Sequence, residues 1–423
     1  MTKSIIKFTV LFLILLALCK NALARNKETY ELLDLFGQIF DQVRENYVEE
    51  VTDKDLIEKA IDGMLTGLDP HSGYLDEENW ADMQLDTKGK FGGLGIEITM
   101  EEGFIKVVSP IEDTPAYKAG IQAGDYIVQI NDTPVLGLTI SEAVELLRGK
   151  IGTAIRLTIS RATVEPFEVE IIRDIIKIQS VKSEIFDNIG YLRITSFTEQ
   201  TENGIKKAIK KIKKDLSNKD IGYILDLRSN PGGLLDQAVK VTDAFLEKGE
   251  IVSTRGREKN DIRRYRARKG DLLKEKPLVV IINGGSASAS EIVAGALQDH
   301  KRAVIIGTQS FGKGSEQSII PFRKPVIAGI RLTTARYYTP SGKSIQGKGI
   351  IPDIIIEHGK FESSNFRRLS ESDLKNSLDK EEVELKDTTE KTPQEERLEI
   401  DFQLARAVDL IKGIDVYKES LTQ

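Results

Sequence analysis

Ser288 and Lys313 stand 25 positions apart, the serine in the run Gly-Gly-Ser-Ala-Ser-Ala-Ser-Glu-Ile (284–292) and the lysine in Phe-Gly-Lys-Gly (311–314). A serine hydroxyl is a poor nucleophile at neutral pH, so a neighbouring base must take its proton, and a buried, uncharged lysine does so as well as a histidine. Histidine is scarce: His71, His300 and His358 are the only three, and none stands in an evident nucleophile–base arrangement. The pair therefore points to acyl transfer by a serine with a lysine base. Such a base must be neutral, with its pKa pulled well below the free value of about 10.4, and burial would achieve that. Glu316, the one acid close in sequence, would oppose this if it faced the amine and is expected to point away.

The flanking segments place the serine. Leu278–Ile282 (LVVII) reads as a short buried strand and Glu291–Asp299 (EIVAGALQD) as a helix, which sets Ser288 at a strand-to-helix junction. A helix N-terminus leaves backbone N–H groups free, so the Ala289 amide is the natural first donor to an oxyanion. Upstream, the strand-like Ile221–Leu227 runs into Arg-Ser-Asn-Pro-Gly-Gly (228–233). Paired glycines let backbone approach a ligand closely, so Gly232 or Gly233 is the candidate second donor; the plainer reading of Pro-Gly-Gly is a turn.

These three motifs, their spacing, and Gln317 four residues after Lys313 resemble the carboxyl-terminal processing peptidases, also called tail-specific proteases, over roughly Leu32 to Glu357. The resemblance implies that Ser288 is the nucleophile, Lys313 the general base and Gln317 the residue that orients the lysine. Ser286 and Ser290 then fall at supporting positions, and Glu291 and Asp299 at structural ones. His71, in the turn Leu-Asp-Pro-His-Ser, falls away from the chemistry.

The family also carries a PDZ domain, and Gly89 to Arg161 has the matching order. Phe91-Gly92-Gly93-Leu94-Gly95-Ile96 supplies a glycine-rich loop entering a strand, able to aim N–H groups at a free carboxylate while the strand pairs with an extended peptide. Thr139 to Leu147 reads as the amphipathic helix across the groove. Gly93, Leu94, Gly95, Ile96, Ala143 and Leu147 are the expected binding residues, with the plainer alternative that the apolar ones are core. They imply an apolar final residue on the bound tail. Arg148, closing that helix, suits contact with the neighbouring protease domain and a regulatory relay from tail to active site.

Composition bounds the rest. The chain has 423 residues, 40% hydrophobic and 30% charged, ordinary for a globular protein of two or three domains. Lys3 and Lys7 precede an apolar stretch, Phe8 to Leu18, and then Asn21-Ala22-Leu23-Ala24, the pattern of an export signal cut after Ala24. The stretch is short of the roughly 20 residues a spanning helix needs; an uncleaved anchor in the inner membrane facing the periplasm is the alternative. Cys19, the only cysteine, lies within it, after a Leu18 too large for a good lipoprotein site. Residues 1–24 hold three lysines and no acid, so their removal takes the net charge from −6 three units down to −9, which argues against nucleic-acid binding. No His-x-x-x-His or cysteine pair suggests a metal, and no cofactor is implied.

The expected fold is multi-domain α+β: signal 1–24, helical region 25–84, PDZ domain 85–170, a crotonase- or Clp-protease-like α/β protease core 171–358, a polar linker 359–391 and a C-terminal helical segment 392–423. Leu32, Leu35, Phe36, Ile39, Phe40, Val43 and Tyr47 share one face of a first helix, and Thr52 caps a second that Gly67 ends. Eight Lys or Arg between Arg255 and Lys269 mark an exposed loop or hairpin. Thr392-Pro393-Gln394-Glu395 opens a terminal helix that packs on its own body or swaps onto a second chain in a homodimer. The expected activity is a periplasmic or secreted serine endopeptidase acting on proteins with apolar C-termini. Competing readings are a PDZ adaptor or chaperone with a silent core, and a crotonase-like thioester hydrolase.

Overall fold

A computed structural model describes residues 27–111, 113–162, 164–177, 179–323, 328–359 and 392–422. The export pattern with Cys19 and nearly all of the polar linker lie outside the described residues. The chain divides into two compact units, one running to Tyr74 with Ile330–Leu332, the other comprising Leu75–Gly329 and the chain from Thr333 onward.

In the first unit, residues 27–46 are helical, and Leu32, Leu35, Phe36, Ile39, Val43 and Tyr47 are exposed rather than packed. The next helix, Asp53–Thr66, begins where Thr52 Oγ1 accepts the Asp55 amide at 3.1 Å and stops at Gly67. Asp69 then accepts the amides of His71 and Ser72 and the Ser72 hydroxyl, fixing the turn that holds His71.

The second unit contains two sheets that matter for the site. Ile96–Glu101, Phe104–Pro110, Tyr126–Ile130, Ala154–Arg161 and Val164–Ile172 form an antiparallel sheet in that order. Along Ala154–Arg161 the residues Ile155, Leu157 and Ile159 are buried in alternation, as one packed face requires. Helix Ile140–Leu147 closes over this face behind a reciprocal Thr139–Glu142 cap. The short strands Lys90–Gly93 and Asp174–Lys177 pair antiparallel and join the ends of this domain.

The second sheet runs Val181–Phe186, Ile189–Ile194, Gly222–Asp226, Leu278–Ile282, Val304–Gly307, Ile354–Ile355; the first pair is antiparallel and the rest parallel. Helices cover both faces, which explains why LVVII shows no polar alternation. Leu278, Val280 and Ile282 pack with helices Thr201–Asp215, Leu235–Asp243 and Ala289–Asp299, while Val279 and Ile281 pack with Leu404, Ala407, Val408 and Ile411 of the terminal helix Phe402–Thr422. Each fully buried aliphatic side chain contributes about 1.5–3 kcal/mol, so these four positions hold the terminal helix on its own body. A hairpin, Gly249–Arg255 with Ile262–Ala267, carries much of the basic stretch on its outer strand and pairs on its other side with Arg336–Tyr338.

Candidate active site

Ser288 caps helix Ala289–Asp299 with φ 53° and ψ −109° and is almost wholly buried. A non-glycine residue held in that region stores about 1–3 kcal/mol of strain, so the surroundings must fix it. The glycine loop does so. A Cβ on Gly232 (φ +106°) would stand 2.8 Å from Ser288 Cβ and 3.0 Å from the Ala289 nitrogen, and one on Gly233 (φ +137°) 2.2 Å from the Phe197 carbonyl oxygen. Only glycine permits either approach. Ser286 Oγ donates to the Leu227 carbonyl at 2.8 Å and Ser290 Oγ to the Asn230 carbonyl at 3.0 Å, so the two flanking serines tie the Ser288 turn to the glycine loop and to the strand end that enters it.

The three candidate oxyanion donors differ in what they face. The Gly232 amide donates to Asn230 Oδ1 at 2.9 Å. The amides of Ala289 and Gly233 have no acceptor among the described residues, and the Ala289 amide stands at the positive end of a helix.

Lys313 follows strand Val304–Gly307 and is half-buried, its Nζ donating to Gln317 Oε1 at 2.5 Å. The Gln317 amide nitrogen donates in turn to Ser315 Oγ at 2.9 Å and Thr333 Oγ1 at 3.1 Å, which aims the amide oxygen at the lysine. Glu316 lies on the other face of strand Ser315–Phe322: burial raises its pKa, and its hydrogen bond to Thr254 and the charge of Arg263 work against that.

Glu291 joins the two halves. Its Oε2 accepts the amides of Ser288 at 2.8 Å and Lys313 at 2.9 Å; its Oε1 accepts the Gly312 amide and the Ser310 hydroxyl, both at 2.6 Å. Burial raises the Glu291 pKa, and the four donors act in the opposite sense. Asp299, at the far end of the same helix, accepts the Ser341 amide. Tyr337 was not singled out by sequence. Its phenol is buried, and desolvation first, then Glu316 and Tyr265, drive its pKa upward while the neighbouring Ser288 side chain works against them. A tyrosine pair at 337–338, next to a proline turn, is the only trace it leaves in the sequence.

In the PDZ domain, Gly93, Leu94, Gly95, Ile96, Leu147 and Arg148 line a cavity of about 170 Å³ together with Phe91, Ile98 and Val144. Ala143 is fully buried in the domain core, and Val144 beside it lines the groove together with Leu147 of the same helix. Arg148 stacks on the Phe91 ring, 4.7 Å from its centroid, and its charge opposes the burial that raises the pKa of Asp86.

The profile of Peptidase family S41 matches residues 188–356, that of the PDZ domain residues 106–161, and that of the activating protease CtpB N-terminal domain residues 17–79. A carboxy-terminal-processing protease of Bartonella bacilliformis is 58% identical over 81% of this chain and 79% of its own length. The carboxy-terminal processing protease CtpA of Bacillus subtilis is 37% identical over 77% of this chain and 69% of its own. Among solved structures, the photosystem II D1 C-terminal processing protease is 28% identical over 76% of this chain and 92% of its own, with a TM-score of 0.48. The chain is a serine-type peptidase with a PDZ domain and belongs to the carboxy-terminal-processing protease family.

Proposed function

We propose that this protein captures the free, apolar C-terminal tail of a substrate protein in its PDZ groove and cleaves a peptide bond with a Ser288–Lys313 dyad. The neutral Lys313 amine takes the Ser288 proton as Oγ bonds the carbonyl carbon. The Ala289 and Gly233 amides stabilise the resulting oxyanion, with Gly232 permitting the close approach. Collapse expels the amine half of the substrate, which receives the proton from the Lys313 ammonium. Water then attacks the acyl-enzyme, Lys313 accepts its proton, and Ser288 is restored. Gln317 keeps the lysine oriented through this cycle. The apolar lining of Leu94, Ile96, Ile98, Val144 and Leu147 supports a preference for an apolar last residue, and Arg148 at the groove edge suits a tail-sensing role. The division into residues 25–84, 85–170, 171–358 and 392–423 serves these tasks separately.

The observation that carries the reading is the shared Glu291 carboxylate, which holds the backbones of the serine and the lysine to one point. The basic and apolar start of the chain supports export to the periplasm, in keeping with bacterial relatives. Among the described residues no helix is long and apolar enough to cross a membrane. The test is digestion of an unfolded protein with an apolar tail by wild type, Ser288→Ala and Lys313→Ala, read by mass spectrometry of fragments. Loss of cutting in both variants supports the dyad and equal digestion by all three discards it; undiminished cutting of an amidated tail discards the PDZ role.

A further inference from the structure

We infer that Asp401, on the C-terminal segment, is a positioning residue for the oxyanion loop and acts through Arg228. The inference rests on the reading of Ser288 and the glycine loop given above. Arg228 opens that loop, and every N–H of its guanidinium group is engaged. Nε reaches Asp226 Oδ1 and Oδ2 at 3.0 and 3.1 Å, and Nη2 reaches Asp226 Oδ2 and Asp401 Oδ2, both at 2.6 Å. Nη1 reaches Asp401 Oδ1 at 2.7 Å and Gln403 Oε1 at 3.2 Å. Asp401 thus grips the guanidinium in a two-pronged pair across 173 positions of sequence.

The inner anchor does not suffice by itself. Asp226, fully buried at the end of its strand, also accepts the Tyr191 hydroxyl at 2.8 Å and the Arg228 amide at 2.9 Å, with Arg193 at 3.6 Å. Nη1 has only Asp401 and Gln403. Asp401 is itself rigid, because Oδ1 caps the terminal helix through the Leu404 amide at 3.1 Å and that helix is seated on the sheet. From Arg228 the constraint passes along a short path: Ser229 holds a positive φ, and Asn230 is fully buried. Asn230 donates its side-chain nitrogen to the Ile194 carbonyl, and its side-chain oxygen receives the Gly232 amide. Its carbonyl receives the Ala287 amide at 3.0 Å, one residue before the nucleophile. Releasing the outer prongs lets the guanidinium pivot on Asp226, and the loop that carries the Gly233 donor shifts with it.

The test uses the full chain with an alkyl fluorophosphonate, in which serine oxygen bonds phosphorus, fluoride leaves, and the phosphoryl oxygen calls on the same donors. Asp401→Asn should slow labelling of Ser288 and lower kcat about tenfold, as a small misplacement of reacting groups does, with KM for a tailed peptide within about twofold. Asp401→Glu, which keeps the charge one methylene further out, should fall between the two. Wild-type labelling and kcat in folded Asp401→Asn, whatever its melting temperature, overturn the inference. If the asparagine variant does not fold, Asp401→Glu decides: slowed labelling supports the inference and a wild-type rate overturns it. A wild type unlabelled at Ser288 would overturn the serine assignment and this inference with it.

Discussion

The backbone amides of Ser288 and Lys313 end on the same oxygen of Glu291, at 2.8 and 2.9 Å. One buried carboxylate therefore ties the main chains of the proposed nucleophile and base to a common point, and it does so without using either side chain. Glu291→Gln replaces one of its two acceptor oxygens with an NH2 group that faces donors. A buried donor left unsatisfied costs about 1–3 kcal/mol, so denaturant unfolding should show a loss of about 2 kcal/mol or more. Fluorophosphonate labelling should slow at least about tenfold. A variant of unchanged stability and labelling rate would refute this role for Glu291.

The Lys313–Gln317 contact gives a pH prediction with a definite sign. Gln317→Glu places a carboxylate where an amide oxygen now accepts from Nζ. An adjacent negative charge favours the ammonium form, raising the lysine pKa by about one unit or more. Since the proposed base works only when neutral, the acid limb of kcat/KM should move to higher pH and activity at pH 7 should fall. An acid limb that stays in place would separate Lys313 from the proton transfer.

How much of this could be read beforehand depended on where each constraint arises. The strand-to-helix junction at Ser288 was legible from the apolar run before it and the helix-forming run after it, and the family resemblance pointed to the pairing of Lys313 with Gln317 that the structure contains. The wholly apolar LVVII and the largely apolar IGYILDL pointed to buried strands of an α/β core, since a short unbroken apolar run is a local signal. Glu291 was legible only as a structural residue: three of its four donors come from 310–313, brought to it by tertiary folding. Asp401 and Arg228 carry no sequence signal of each other at all. In the PDZ helix the error risk was one of phase: Ala143 and Val144 differ by about 100° around the axis, and that step separates core from groove.

The glycine loop yields a steric prediction. A methyl at position 232 would fall 2.8 Å from Ser288 Cβ and 2.9 Å from the Ala287 carbonyl oxygen, at a φ of +106° that side chains rarely adopt. Gly232→Ala should therefore push the loop and the nucleophile apart, and labelling of Ser288 should fall by about two orders of magnitude, comparable to losing an oxyanion donor. Thermal melting will show a lowered midpoint as well. Wild-type labelling in this variant would contradict the close approach.

The phase of the PDZ helix can be tested with two neighbours. Val144→Asp puts a charge in the groove and should weaken binding of a fluorescent peptide ending in leucine by at least about tenfold in anisotropy titrations, roughly the loss of one buried aliphatic contact. Ala143→Leu instead overfills the core beneath, costing about 1–3 kcal/mol of stability. The reverse assignment of effects would place Ala143, and not Val144, at the bound tail.

Asp401 also makes the stability of the terminal helix depend on pH in a direction that follows from its pairing. Burial alone would raise its carboxyl pKa, but the Arg228 guanidinium and the Leu404 amide outweigh it and hold the pKa below the ordinary 3.8. A depressed folded-state pKa contributes stability that is complete above the unfolded value and is lost as pH falls through the folded one. The melting-temperature gap between wild type and Asp401→Asn should thus be widest near neutrality and close progressively below about pH 4. The uncharged variant has no such proton to gain, so its own curve lacks this contribution. A gap that stays constant from neutral to acid pH would mean that the Arg228 pairing adds nothing electrostatic, and that the terminal helix is held by Leu404, Ala407, Val408 and Ile411 alone.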